Sequence, residues 1–137
     1  EGTMITASRT GVNSPRWMSP EYLRGEPTTG AMDTYSFGVV LWELLTLQVP
    51  WAEFSNTWQV MHAVAELGEH LPVPASPEEL AKVQPQFAGL STYCELTLRC
   101  LDADPDQRPS FGSIVSVLKP LQAQELREVQ QRRGGAQ

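Results

Sequence analysis

Cysteine and histidine are scarce in this chain, at two residues each among 137. Cys94 and Cys100 stand six positions apart on a predicted helix, so their side chains point to different faces and cannot bridge. That usage fits a reducing compartment, and neither cysteine has metal-ligand spacing to His62 or His70. Both histidines read as ordinary surface or core residues, and no metal site is expected. Basic residues are in the minority: 10 Lys and Arg face 16 Asp and Glu, for a net charge of −6. This balance excludes the electrostatic footprint of a nucleic-acid binder. The one basic cluster, Arg127, Arg132 and Arg133, reads as a solvated helix face. Long apolar runs are missing too. The longest, Phe37 to Trp42, is interrupted at Glu43 and is far below the roughly 20 residues that span a bilayer, so this segment makes no membrane contact. The start, Glu1-Gly2-Thr3-Met4, has no basic stretch and no apolar signal core. A glycine-rich phosphate cradle is also lacking, since Gly134-Gly135 precedes no helix.

What is present describes one globular domain, with 41% hydrophobic and 19% charged residues. Residues 1–13 are rich in Thr, Ser and Gly without periodicity and read as a loop. Ser19 caps a short helix opened by Pro20 and ending near Arg24. Residues 31–47 carry apolar side chains on every side, which predicts a helix surrounded by protein. Gly38 within it costs about 1 kcal/mol against alanine, and close approach of another backbone is the expected compensation. After Pro50-Trp51, Ser55 or Asn56 caps a helix through Leu67, with Trp58, Met61 and Ala65 on one face. Core packing accounts for most of Trp17, Trp42, Trp51 and Trp58. Residues 69–89 hold four prolines and read as loop, with a helical turn at 78–83 capped by Ser76. Leu90, Cys94, Leu98 and Leu101 form one buried stripe of the next helix. Ser110 caps a further helix through Phe111, Ile114, Val115 and Leu118, which Pro120 is expected to interrupt before a polar helix over 122–133. The reading is mainly α, with four or five helices and essentially no strand.

Three segments together resemble the C-terminal lobe of a protein kinase domain, from the activation loop onward. Ser19-Pro20-Glu21 is similar to the Ala-Pro-Glu signature that closes that loop. Asp33-Thr34-Tyr35-Ser36-Phe37-Gly38 resembles the start of the family's central helix, and Asp104-Pro105-Asp106-Gln107-Arg108-Pro109 its link into the last helix. Pro15-Arg16-Trp17-Met18 and Val39-Val40-Leu41-Trp42-Glu43-Leu44-Leu45-Thr46 resemble the tyrosine-kinase-like group of serine/threonine kinases. The resemblance implies a helical C-lobe around a buried central helix at 31–47, with residues 1–121 a partial kinase domain and 122–137 a polar tail.

It further implies roles. Glu21 and Arg108 form a structural ion pair tying the activation segment to the base of the lobe; otherwise Glu21 is only a carboxylate at a helix N-terminus. Asp33 anchors the catalytic loop, or is simply an acidic first-turn residue. Ser14, Arg16 and Trp17 belong to the substrate-binding stretch, and Ser14 in place of the usual Thr points to serine/threonine substrates. Thr3, Thr6, Ser8 and Thr10 are candidate phosphosites of the activation loop. The catalytic Asp, the phosphate-binding Lys and the metal ligands of the family lie upstream of the activation loop, so ATP and Mg²⁺ are expected only in a longer parent kinase. The expected partners are the missing N-terminal half and a protein substrate, in the cytoplasm or on the cytosolic side of a membrane receptor. A pseudokinase and a non-enzymatic interaction module are the alternatives. Residues 77–89 are longer than the family's usual link, and Leu101 stands where many relatives carry Trp.

Overall fold

The computed structural model describes residues 15–135. A 3-10 turn at Pro15–Trp17 leads into α1 (Pro20–Leu23), α2 (Ala31–Thr46) and α3 (Thr57–Met61), which continues as a π turn at His62–Glu66. Then follow α4 (Pro77–Ala81), α5 (Leu90–Cys100), a 3-10 turn at Pro105–Gln107, and α6 (Phe111–Gly135). Among the described residues there is no strand.

Local chemistry explains most of the starts. Ser19 caps α1 with Pro20 at its first position, and the Asn56 side chain accepts from the Gln59 N–H at 3.0 Å to open α3. Ser76 and Glu79 form a reciprocal capping box at α4. Leu47, in the left-handed region at φ 55°, ends α2 by returning its N–H to the Glu43 carbonyl.

α2 is the axis of the molecule because it faces two core clusters. Tyr35, Val39 and Trp42 join Trp51, Val60, Val64, Leu71 and Leu101 on one side. Leu41 meets Leu96, Cys100 and Ile114 on the other. Two hydrogen bonds lock these sides: the Trp42 indole donates to the Pro72 carbonyl at 2.7 Å, and the Tyr93 hydroxyl to the Leu41 carbonyl at 2.6 Å. The expectation of a helix enclosed on every side is not met. Val40, Leu44 and Leu47 are 39%, 66% and 83% exposed and form a solvent-facing stripe at helical spacing.

At Gly38 α2 packs tightly against the C-terminal end of α5. A Cβ at this position would stand 2.7 Å from Cys100 Cβ and 3.1 Å from Leu101 Cδ2. The crowding thus comes from side chains of the neighbouring helix end, rather than from a second backbone as anticipated. Gly38→Ala should therefore destabilise by about 1–3 kcal/mol through overpacking, against a helix-propensity gain of about 1 kcal/mol. A urea titration that found the variant more stable than the parent would contradict this packing.

The last helix differs from expectation as well. Pro120 lies inside a continuous α6 and does not divide it. Proline removes one i→i−4 bond, here to Ser116, but packing on both sides of the gap holds the axis. Leu118 packs against the Leu41 cluster, and Leu121 lies so close to Gly89 that a Cβ there would be 2.5 Å from its Cδ2. The boundary drawn at 121/122 thus falls within one helix. Trp58 departs from the core pattern of the other tryptophans, at 76% exposure.

Burial also sets an alkaline limit. It pushes the Cys100 thiol up to about 11 and the Tyr35 and Tyr93 hydroxyls up to about 12. Raised folded-state values mean that the stabilising contribution is complete below the ordinary values and is lost as pH rises through the shifted ones. The urea midpoint should accordingly hold from neutrality to about pH 9 and fall progressively toward pH 12. A midpoint unchanged across that window would contradict the burial of these three groups.

Candidate functional site

The site is the stretch 15–23 and what holds it. Ser14, Thr3, Thr6, Ser8 and Thr10 lie outside the described residues. Arg16 and Trp17 are placed by the 3-10 turn, closed by the Met18 N–H on the Pro15 carbonyl at 3.1 Å. The Arg16 guanidinium donates to the carbonyls of Pro50 at 2.8 Å, Trp51, and Phe54 at 3.1 Å. It thereby stitches the turn to the loop after α2, where Trp51 sits at φ 56° with its ring stacked on Phe54 at 5.8 Å. The Trp17 indole donates to Glu43, and the Ser36 hydroxyl donates to the Trp17 carbonyl at 2.7 Å. Backbone and side chain of this stretch are therefore both pinned to α2. Sequence reasoning missed Ser36 and Glu43 as the clamps; a polar residue among apolar neighbours on a core helix was the available signal.

Below the stretch, the structure brings Glu21 and Arg108 together across 87 positions of sequence. Nη1 and Nη2 donate to the two carboxylate oxygens at 2.5 and 3.1 Å, a fork-to-fork geometry. Nη1 also reaches the Ala31 carbonyl at 2.9 Å, and Nε the Asp102 carbonyl at 2.9 Å. The guanidinium stands 5.1 Å from the centre of the Tyr35 ring, and the side chains of the pair are 0% and 5% exposed. One arginine thus joins α1, the start of α2 and the link before α6. That linkage explains why a charge is tolerated in the interior: each of the three guanidinium nitrogens has an acceptor.

Asp33 occupies the first turn of α2 on the exposed surface, and among the described residues no donor reaches its carboxylate. It is not brought together with the Glu21–Arg108 pair. Cys94 and Cys100 are free and buried, His62 pairs with Glu66 at 2.9 Å, and the His70 Nδ1 lies 2.9 Å from the Leu71 carbonyl. Among the described residues no three His, Cys, Asp or Glu side chains are grouped to hold a metal ion, and no helix is long and apolar enough to cross a membrane.

A helical lobe built on one axial helix, with its entry segment tied to its base by a buried bidentate pair, has the architecture of the helical C-lobe of the protein kinase fold. The family model for protein tyrosine and serine/threonine kinases matches residues 2–118, and the chain belongs to that family. It is 39% identical over 121 residues to "Serine/threonine-protein kinase CTR1" of Arabidopsis thaliana, covering 88% of this chain and 13% of that protein. "Serine/threonine/tyrosine-protein kinase HT1" of the same plant is 38% identical over 85% of this chain and 27% of its own length. Human "Mitogen-activated protein kinase kinase kinase 11" is 33% identical over 90% of this chain and 13% of its own. The chain therefore spans a small part of the curated relatives it matches.

Proposed function

We propose that this chain is the activation-segment and helical-lobe part of a serine/threonine protein kinase that transfers the γ-phosphate of ATP to protein Ser or Thr. The observation that carries the reading is the unpartnered apolar stripe on the axial helix. Val40, Leu44, Leu47 and neighbouring Val49 are exposed on an element whose other faces are closed. Exposed apolar area of this kind marks an interaction surface. The N-terminal half of the kinase domain is its partner, and it brings the phosphate-binding Lys, the catalytic Asp and the Mg²⁺ ligands.

Within the assembled domain, residues 14–17 line the protein substrate, with Ser14 beside the catalytic Asp. Asp33, exposed at the head of α2, accepts hydrogen bonds from the incoming catalytic loop. The Glu21–Arg108 pair holds the substrate-facing stretch against the lobe. Thr3, Thr6, Ser8 and Thr10 are the candidate sites whose phosphorylation orders the activation loop. The parent protein works in the cytoplasm or on the cytosolic side of a membrane. The serine/threonine assignment is supported by Ser14 and by the names of the relatives.

Thermal melting with and without Mg²⁺–ATP tests the division of labour. A polypeptide extended upstream to include the phosphate-binding half should gain several degrees with the nucleotide, and this chain alone should gain none. Equal stabilisation of both would contradict the proposal. No stabilisation of the longer polypeptide would make the parent a pseudokinase.

A further inference from the structure

The long link 77–89 has no part in the proposed phosphotransfer, yet it is fixed at three points. The Gln86 amide donates to the Leu80 and Val83 carbonyls, at 2.7 Å each, which closes the C-terminal end of α4. The Phe87 ring meets the Tyr93 ring of α5 edge-on at 6.0 Å. Gly89 lies against Leu121 of α6, with no room for a Cβ. The link thus stands as a wall opposite α6, and the two flank a groove of about 650 Å³. Pro85, Phe87, Tyr93, Val115, Leu118 and Leu121 supply its apolar surface. Val115 is 45% exposed, so the groove is open along one side. An open apolar groove takes side chains from a segment lying across it, whereas a small ligand needs most of its surface enclosed.

Charge along the groove selects the partner. Its charged lining residues are Lys119, Glu125 and Arg132. Arg132 is held by Glu125 at 3.0 Å, so those two cancel. Lys119 has no ion-pair or hydrogen-bond partner among the described residues, and no second carboxylate lines the groove. The helix that bears it leans the same way: α6 has four Lys and Arg against two Glu, while the rest of the chain has six against 14 Asp and Glu. The groove is therefore a locally positive site on an acidic protein. Charges more than about 8 Å away are largely screened at physiological salt, so the local sign governs. An acidic segment is attracted there and a basic one repelled.

We infer that the groove between the 77–89 link and α6 docks a segment of a partner protein presenting a glutamate or aspartate next to large apolar side chains. The carboxylate meets Lys119, and the apolar side chains rest on Phe87, Val115 and Leu118. The inference is independent of the proposed phosphotransfer.

The probe is a soluble, fluorescently labelled peptide in which leucines are flanked by glutamates, titrated by anisotropy onto this chain at physiological salt. Phe87→Ala should weaken binding by about tenfold, the effect of removing an anchor side chain. Lys119→Glu should weaken it several-fold more than Arg127→Glu. The latter makes the same change in net charge on the same helix, outside the groove and about 12 Å further along, beyond the screening length. Lys119 is exposed, so its variant reads out binding even if Phe87→Ala were to lose the fold. Three results would overturn the inference: no binding by the unsubstituted chain, a folded Phe87→Ala within about twofold of it, or equal effects of the two glutamate substitutions. Loss of self-association in Lys119→Glu would assign the groove to a second copy of the chain and overturn it as well.

Discussion

Arg108→Ala is expected to lower the melting temperature of the chain by roughly 10–20 °C, or to leave it unfolded near room temperature. Removing one partner of a buried ion pair costs about 3–5 kcal/mol, because the other charge is stranded in the interior. Glu21 is 4% exposed and has no route to water without opening α1. Total stability of a domain this size is only about 5–15 kcal/mol, so the loss is a large fraction of it. Arg108→Lys should recover little, since an ammonium cannot hold both carboxylate oxygens and also reach the Ala31 and Asp102 carbonyls. The double variant Glu21→Leu, Arg108→Met should lie between, with the stranded carboxylate gone but those two carbonyls unmet. Denaturant midpoints of the four proteins decide the matter. An Arg108→Ala midpoint within the range of ordinary surface substitutions, about 0.5 kcal/mol, would mean that the pair holds nothing together.

Leu44→Asp should cost the fold little in this chain and much in an upstream-extended kinase domain. Leu44 is 66% exposed here, so a carboxylate costs the fold little and breaks the apolar stripe of Val40 and Leu47. The unsubstituted chain is expected to self-associate through that stripe, and the variant to remain monomeric, as read by sedimentation or light scattering. In the extended polypeptide the same residue is expected to be covered. The substitution there forfeits the burial of a leucine, about 1.5–3 kcal/mol, and buries an unpaired charge, so the loss should exceed about 3 kcal/mol. Equal, small effects in both polypeptides would mean that the stripe has no partner.

How far the sequence carried the fold can be judged element by element. Helix starts were legible where a side chain closes the cap locally, as with Ser19, Asn56 and Ser76. The axial helix was legible from apolar residues recurring on all its sides. Its open face was not, because Val40 and Leu44 are chemically no different from buried Val39 and Leu41, and only the arrangement of the elements packed around α2 separates them. Pro120 misled for a related reason: the local cost of a missing bond was clear, while the compensating contacts of Leu118 and Leu121 come from residues far along the chain. At the site, Glu21 and Arg108 were named through resemblance. No local pattern could bring them together across 87 positions, nor reveal the carbonyls of Ala31 and Asp102 that complete the guanidinium's bonds. Trp58 illustrates the remaining gap: its helical phase with Met61 and Ala65 was readable, but not whether that face turns inward.

Phosphate transfer by the upstream-extended polypeptide tests the central claim most directly. With radiolabelled ATP and Mg²⁺, that polypeptide should label protein serine or threonine, and the present chain alone should label nothing. Turnover by the present chain, or none by an extended one that keeps the phosphate-binding Lys and catalytic Asp, would contradict the account.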